Sequence, residues 1–494
     1  MSGMFDDFKE QVRSQANIVE IISEYVPLKK RGGSFWGCCP FHGEKTPSFS
    51  VTPDKNFFYC YGCHVGGDVF TFVMKMENCT FPEALKLLAN KLGIAVPEKE
   101  KTKAELEREK QAKQVIAANE LATRFFQACL TKTDYGIKAQ EYLTGRGITP
   151  EIIERFSIGV ALPNYNALLS ALGKRGCSAG LLVQAGLAVN YDRGPMDKFR
   201  GRVMIPIQDP RGHVVGFGGR ILEQNSQQMA KYMNTGETEW FNKRTLLFGM
   251  NVALKEIKKR RQAVIVEGYM DAISLHAAGI DWAVASMGTA FAQEQAKLLA
   301  RAADEVVFSY DSDAAGQRAT VRAVSIAKEA GLKVRVLIVP DGKDPDEFVR
   351  KHGKDAYLRL IETAVSGIEF QMQYVISQNN VSNLAGKVEA VSNILPFLLE
   401  CKNEIEVAQH IKTLAQRLTI DEGLIMSEYR KLSRKNDRRE AVSKWQVQPN
   451  VLSAEDLAEQ LLLYVILKNT DAIVLDAELI AATALGRTVL LGNA

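Results

Sequence analysis

Between Gln262 and Pro340 the chain alternates short apolar runs with helical stretches. "AVIVEG" precedes "YMDAISLHAAG", "DWAVASMG" precedes "AQEQAKLLARAA", "EVVFSYDSD" precedes "AAGQRATVRAVSIAKEAG", and "KVRVLIVP" closes the series. This alternation indicates βαβ units and a parallel sheet. In such a sheet functional side chains collect at the carboxyl ends of the strands. Glu267 follows the first run, with Asp271 one helical turn on. Asp311 and Asp313 follow the third run, and Asp341, Asp344 and Asp346 follow the fourth. Acids gathered this way repel one another and raise their own pKa values unless cations sit among them. Mg²⁺ or Mn²⁺, held by hard oxygens and bridging to a phosphate, is the economical reading. The alternative is helix capping, by Asp311 or Asp313 before Ala314 and by Asp344 before Pro345. Acids at three strand ends of one sheet favour the cation site.

A second signal lies near the N-terminus, in "FWGCCPFHGEKTPSFSVTPDKNFFYCYGCHVGGD" from Phe35. Cys39-Pro-Phe-His42 and Cys60-Tyr-Gly-Cys63 each place two ligands around a two-residue spacer, the spacing by which zinc ribbons grip one tetrahedral ion. Pro40 and Gly62 suit tight turns. Cys38 is one residue out of phase, and His64 would have to fold back past Cys63. The expected ligands of a structural Zn²⁺ are therefore Cys39, His42, Cys60 and Cys63. A closed four-ligand site leaves no open position for catalysis, so the module works through its surface. Lys29, Lys30, Arg31, Lys45 and Lys55 are interleaved with Phe35, Trp36, Phe49, Phe57, Phe58, Tyr59 and Tyr61. That mixture suits single-stranded nucleic acid, although about half of these aromatics are needed for the core of so small a domain.

The chain has 494 residues, enough for two to four domains. Eight cysteines in this length do not form a disulfide framework, which points to reduced thiols and a cytoplasmic protein. No apolar run is long enough to span a membrane, and "MSGMFDDFKEQVRSQ" lacks the apolar core of a signal peptide. Changes in composition divide the chain into a zinc-binding domain at 1–97, a charged linker at 98–114, a basic mixed subdomain at 115–255, a parallel-sheet subdomain at 256–350, a helical subdomain at 351–432, a polar linker at 433–450 and a final region at 451–494. Helices are expected around Phe5–Tyr25, from Phe81 to Leu92, and from Ser453, which is placed as an N-cap.

These motifs resemble a known family. "EGYMD", "DSDAAG" and "DGKDPD" after strands resemble the TOPRIM fold of topoisomerases, primases and some nucleases. "CPFHGEKTPSF" with "YCYGC" resembles the zinc-binding domain of bacterial replicative primases of the DnaG type. "YLTGRGI", "GRVMIPIQDPRGHVVGFGGR" and "KYMNTGETEWFNKRTLLFG" are similar to the basic polymerase subdomain of that family. The resemblance covers roughly residues 1–430. It implies a multidomain fold of α+β and α/β parts: zinc ribbon, mixed α/β basic subdomain, TOPRIM subdomain, helical subdomain and the remnant of a C-terminal helical domain.

The implied activity is that of a DNA primase, a nucleotidyltransferase making short RNA primers on single-stranded DNA for chromosomal replication. Glu267, Asp311 and Asp313 are implied as the main metal-site acids, with Asp271, Asp344 and Asp346 secondary. Arg146, Arg202, Arg220, Lys231 and Lys243 are implied to line the cleft for template and nucleotide. The glycines of "GFGGR" would let backbone approach phosphates. The implied partners are single-stranded DNA, ribonucleoside triphosphates, single-stranded DNA-binding protein and the replicative helicase. The helicase-binding domain reads as truncated or divergent, since only the stretch from Val451 remains for it. His64 stands where the family usually has Gly. No G-x-x-x-x-G-K-[ST] is present, which argues against a primase-helicase fusion.

Overall fold

A computed structural model describes residues 2–77, 80–97, 102–222, 230–288, 290–340, 344–401 and 403–446. It divides into two units, residues 1–400 and 401–494. Cys79, Asp341 and the segment from 447 onward, with its expected helix at Ser453, lie outside the described residues.

The first helical stretch is two helices, Ser2–Gln15 and Ile18–Ser23. Asn17 separates them, because its side chain accepts from the N–H groups of Val19 and Glu20 and starts the second helix. Five short strands follow: β1 (Lys29–Arg31), β2 (Ser34–Gly37), β3 (Phe49–Thr52), β4 (Phe57–Cys60) and β5 (Gly66–Gly67). They form one antiparallel sheet in chain order. Phe49 and Phe58 lie inside it against Phe72 of the helix Val69–Met76. Phe57 and Tyr61 face outward, and Tyr61 stacks on Trp36 at 5.7 Å. The aromatics thus divide between core and surface. The helix Phe81–Lys91 starts at Thr80 with a capping box closed by Glu83.

Much of the charged segment expected as a linker is the start of a long helix, Lys103–Lys132, boxed by Thr102 and Glu105. Its first two turns are exposed, and burial begins near Val115, where apolar residues return. Next come β6 (Gly159–Ala161), the hairpin β7 (Ala188–Tyr191) and β8 (Gly194–Asp197), then β9 (Arg202–Gln208), β10 (Val214–Ile221) and β11 (Tyr232–Asn234). The order β11-β10-β9-β6 makes an antiparallel sheet. The long helix rides close on β6: a Cβ at Gly159 would lie 2.4 Å from the Phe126 backbone.

β12 (Gln262–Val266), β13 (Ala283–Ala285), β14 (Glu305–Phe308), β15 (Lys333–Val336) and β16 (Val365–Ser366) build the last sheet, in the order β13-β12-β14-β15-β16. The first four are parallel, as expected, and β16 is antiparallel to β15. This sheet therefore runs past the expected boundary at 350. The helix Gly367–Gln378 packs on it because Gly367 has no side chain to strike Val324 and Val334. The helix Leu384–Leu399 completes this unit. The second unit contains the helices Glu404–Leu418 and Glu422–Gln446, the former burying Val407, Ile411, Leu414 and Leu418 at helical spacing. Most of the polar stretch expected as a linker from 433 is helical. Among the described residues no helix is long and apolar enough to cross a membrane.

Candidate metal centres and phosphate-binding cleft

Cys39 and His42 lie in the turn after β2, Cys60 ends β4, and Cys63 lies in the turn before β5. Their ligand atoms all lie within 4.8 Å of one another. The Cys39 and Cys63 sulfurs are 3.8 Å apart, and the Cys60 sulfur is 3.7 Å from His42 Nδ1. These are the edges of a tetrahedron whose centre suits a zinc–sulfur bond of about 2.3 Å. Backbone N–H groups already point at the sulfurs: Phe41 to Cys39, and Gly62 and Cys63 to Cys60. Burial pushes the Cys39 thiol up to about 12. Burial acts the same way on Cys60, but Ser48 and the two backbone donors bring it down to about 7. Three sulfurs and one imidazole nitrogen gathered this closely are a donor set that fits Zn²⁺.

Cys38 is exposed, and His64 turns away to bond the Tyr59 hydroxyl at 3.0 Å through Nδ1. His64 has φ of 59°, the left-handed region that favours glycine, which accounts for Gly being usual there. The spacing argument missed Glu44. Its Oε1 accepts from Cys39 N–H at 2.6 Å, its Oε2 accepts from the Ser48 hydroxyl at 2.6 Å, and Oε2 lies 3.3 Å from His42 Nε2. A carboxylate on the far nitrogen fixes the tautomer that leaves Nδ1 free to ligate. Gly62 is needed for space, since a Cβ there would lie 2.7 Å from His42 Nε2.

The acids gather where β12 and β14 part. The chain leaves β12 for β13 on one side and returns to β14 on the other, which makes this the topological switch point. Glu267 stands just past β12, and its Oε1 accepts the Asp311 N–H at 3.2 Å. Burial, then the charge of Asp311, raises Glu267 to about 7. Burial, then Asp344 and Asp313, raises Asp311 to about 6, with Lys231 near enough to oppose it. Burial, then Asp344 and Asp311, holds Asp271 well above the ordinary carboxylate range. Carboxylate oxygens are the donor type that a hard divalent cation takes, although among the described residues only the Cys39, His42, Cys60 and Cys63 set brings its ligand atoms within 4.8 Å of one another. Gly316 makes the arrangement possible: a Cβ there would lie 2.2 Å from the Asp311 carbonyl and 2.8 Å from Glu267 Oε1.

Capping and clustering coexist. Asp313 Oδ1 accepts from Gly316 N–H at 2.7 Å and caps the helix Ala314–Glu329, and Asp344 Oδ1 accepts from Glu347 N–H at 2.8 Å and caps Pro345–Glu362. A carboxylate has about four lone-pair sites, so capping leaves capacity for a cation. Asp346 differs. It is buried, accepts from the Ser274 hydroxyl at 2.6 Å, lies 3.2 Å from Arg350 and pairs with Arg146. Its oxygens are committed to those partners, so it anchors Arg146 and is no open ligand.

The expected basic residues also separate. Arg202 is 1% exposed and donates to the carbonyls of Gly219, Ala230 and Lys231. It braces β10 from inside and does not line a cleft as expected. The "GFGGR" glycines are corrected too: Cβ atoms at Gly216 and Gly218 would strike the rings of Phe241 and Tyr269 at 2.8 Å, so these glycines make room for aromatics and not for phosphates. Lys231 is exposed. Lys243 starts a short turn whose carbonyls are held by buried Gln295. Arg146 and Arg220 lie against the ring of Tyr142, at 5.4 and 5.0 Å.

Family models match this chain in order: a CHC2 zinc finger at 4–104, a DNA primase catalytic core N-terminal domain at 125–254, a Toprim-like domain at 264–349 and a DnaB-helicase binding domain of primase at 368–423. The DNA primase of Clostridium acetobutylicum is 39% identical over 94% of this chain and 77% of its own length. The chain belongs to the bacterial DNA primase family. The DNA primase of Halalkalibacterium halodurans is 34% identical over 93% of this chain and 78% of its own. The Aquifex aeolicus primase structure, with zinc-binding and RNA polymerase domains, matches at 31% identity and TM-score 0.53, covering 85% of this chain and 99% of that one. A DnaG primase catalytic domain solved bound to single-stranded DNA matches at 34% identity and TM-score 0.56, covering 64% and 99%. As a primase of the DnaG type, the chain synthesises RNA primers on single-stranded DNA through its Toprim-containing polymerase domain. The helicase-binding match falls inside the segment read as a helical subdomain, upstream of Val451.

Proposed function

We propose that primer synthesis runs at the switch point between β12 and β14, with Glu267, Asp311 and Asp313 holding Mg²⁺ or Mn²⁺ and Asp271 and Asp344 supporting them. The observation that carries this reading is the meeting of acids past β12 and β14: Glu267 accepts the Asp311 backbone N–H and is raised by burial and the charge of Asp311, while Asp311 is raised by burial and the charges of Asp344 and Asp313. When bound, the divalent cations would activate the attacking hydroxyl and offset charge on the leaving pyrophosphate. The 3′-oxygen of a primer or initiating nucleotide bonds to the α-phosphorus of a ribonucleoside triphosphate, and the α–β phosphoanhydride bond breaks. Lys231 and Lys243, with Arg146 and Arg220, neutralise the triphosphate and the template backbone. No side chain need serve as a dedicated general base.

The four-ligand site holds Zn²⁺ structurally and supports a ribbon whose exposed Tyr61 and Lys29–Arg31, with the half-buried Trp36 stacked on Tyr61, meet the template. Residues 368–423 contact the replicative helicase, on the strength of the family match there. Incubating the chain with single-stranded template, ribonucleotides and Mg²⁺ should yield short RNA. Glu267→Gln and Asp311→Asn should abolish it with template binding intact. Full synthesis by Asp311→Asn would overturn the assignment.

A further inference from the structure

Arg146 and Arg220 are held by a stack of aromatic rings that no motif announced. Tyr142 lies on the helix Asp134–Gly145, and Arg146 caps that helix. The Arg146 guanidinium carbon is 5.4 Å from the centre of the Tyr142 ring, and that of Arg220 is 5.0 Å from it. Arg220, on β10, also lies 5.3 Å from the Tyr232 ring and donates to the Tyr232 hydroxyl at 2.9 Å. The Lys231 ammonium is 5.7 Å from that same ring. Tyr232 meets Tyr269 edge-on at 5.4 Å, and Tyr269 fills the space left by Gly218.

The charge balance of this stack is uneven. Arg146 has Asp346 as a counter-ion. Arg220 is 8% exposed, yet among the described residues it has no carboxylate within ion-pair distance. A guanidinium buried without an anion is costly unless rings and a hydroxyl replace its water or an anion arrives. Packing over a ring also removes rotamer freedom that Arg would otherwise lose on binding phosphate. Asp271 and Asp346 lie close enough to Tyr232 and Tyr142 to influence their hydroxyls, so the stack borders the acidic site.

We infer that Tyr142 and Tyr232 are positioning residues whose ring faces hold the Arg146 and Arg220 guanidiniums in register for a nucleoside triphosphate. The inference rests on the proposed cleft and adds what aims its cations. The rings do the work at Tyr142, because its hydroxyl is buried without a well-formed hydrogen bond. At Tyr232 the hydroxyl contributes as well, through Arg220.

The test is steady-state primer synthesis by the full chain, reading KM for ribonucleoside triphosphate against kcat, beside thermal melts. Tyr142→Leu and Tyr232→Leu should each raise KM about tenfold with kcat within about twofold. Tyr142→Phe should match the wild type, and Tyr232→Phe should fall between wild type and Tyr232→Leu. A merely structural role would lower the melting point and leave KM in place. Leu variants with wild-type KM, or a Tyr142→Phe variant as impaired as Tyr142→Leu, would overturn the inference. Should a Leu variant melt below the assay temperature, Arg220→Lys decides, because it keeps the charge and gives up the flat face: a raised KM supports the stack, and a wild-type KM refutes it. If Arg146→Ala and Arg220→Ala leave KM unchanged, the cleft itself is wrong. If they raise KM while the Leu variants stay silent, only the positioning role fails.

Discussion

Glu44 shows how a site depends on residues that are not its ligands. Glu44→Gln keeps the shape but loses the charge opposite His42 Nε2. Zinc affinity should drop about 10–100-fold, measured by competition with a chelator. Cys39→Ser, His42→Ala, Cys60→Ser and Cys63→Ser should lose the metal outright, whereas Cys38→Ser and His64→Ala should keep it. Elemental analysis decides, and a zinc-free Cys38→Ser protein would show that the four ligands are misassigned. At the other centre, Glu267→Gln removes a charge that the fold holds at a penalty, with Glu267 raised to about 7. In EDTA at pH 8 the variant should be more stable than wild type by about 1–2 kcal/mol, allowing for solvent screening of a half-buried group. In Mg²⁺ the order should reverse. A capping acid would act differently, since its loss destabilises by about 1 kcal/mol with or without metal.

At the scale of elements, the junction between β14 and the helix Ala314–Glu329 does two jobs. Asp313 starts the helix, and the helix start at Gly316 closes on the Asp311 carbonyl and Glu267. Gly316→Ala puts a methyl group against backbone that cannot give way. It should cost about 1–3 kcal/mol of stability and most of the primer synthesis, read by melts and by RNA yield. Backbone freedom is not at issue, since the constraint at Gly316 is space and not φ. The "DSDAAG" motif was legible in the sequence, but the reason for its glycine was not, because the atoms it spares come from two strands. β10 teaches the converse. Its glycines looked like a phosphate cradle in the sequence, yet Phe241 and Tyr269 occupy the space they leave.

Across the whole molecule, pH and salt report on the two charged surfaces. Glu267 and Asp311 have folded pKa values raised to about 7 and about 6. Their contribution to stability is full below their ordinary values and is lost as pH rises through that range. The melting temperature in EDTA should therefore fall between pH 5 and pH 8 relative to the Mg²⁺-loaded protein, and Glu267→Gln should flatten the trend. For the basic side, Lys231→Ala and Lys243→Ala should each weaken template binding and reduce the salt slope by about 0.7, the share of one phosphate contact on a single strand. Unchanged slopes would return both lysines to the solvated surface.

The sequence by itself determined what is local. Paired ligands around two-residue spacers, acids after apolar runs, and the alternation of strand and helix are all set within a few residues, so the zinc set and the parallel sheet could be read directly. Tertiary structure decided what depends on strand order and burial. Only the order β13-β12-β14-β15 brings Glu267 beside Asp311. Only packing separates Arg202, spent on carbonyls inside the sheet, from Lys231 at the surface. The same holds for Asp346, drawn to Arg146 from 200 residues away. A charged side chain reads alike in sequence wherever it lies, and its role follows from which neighbours replace its water.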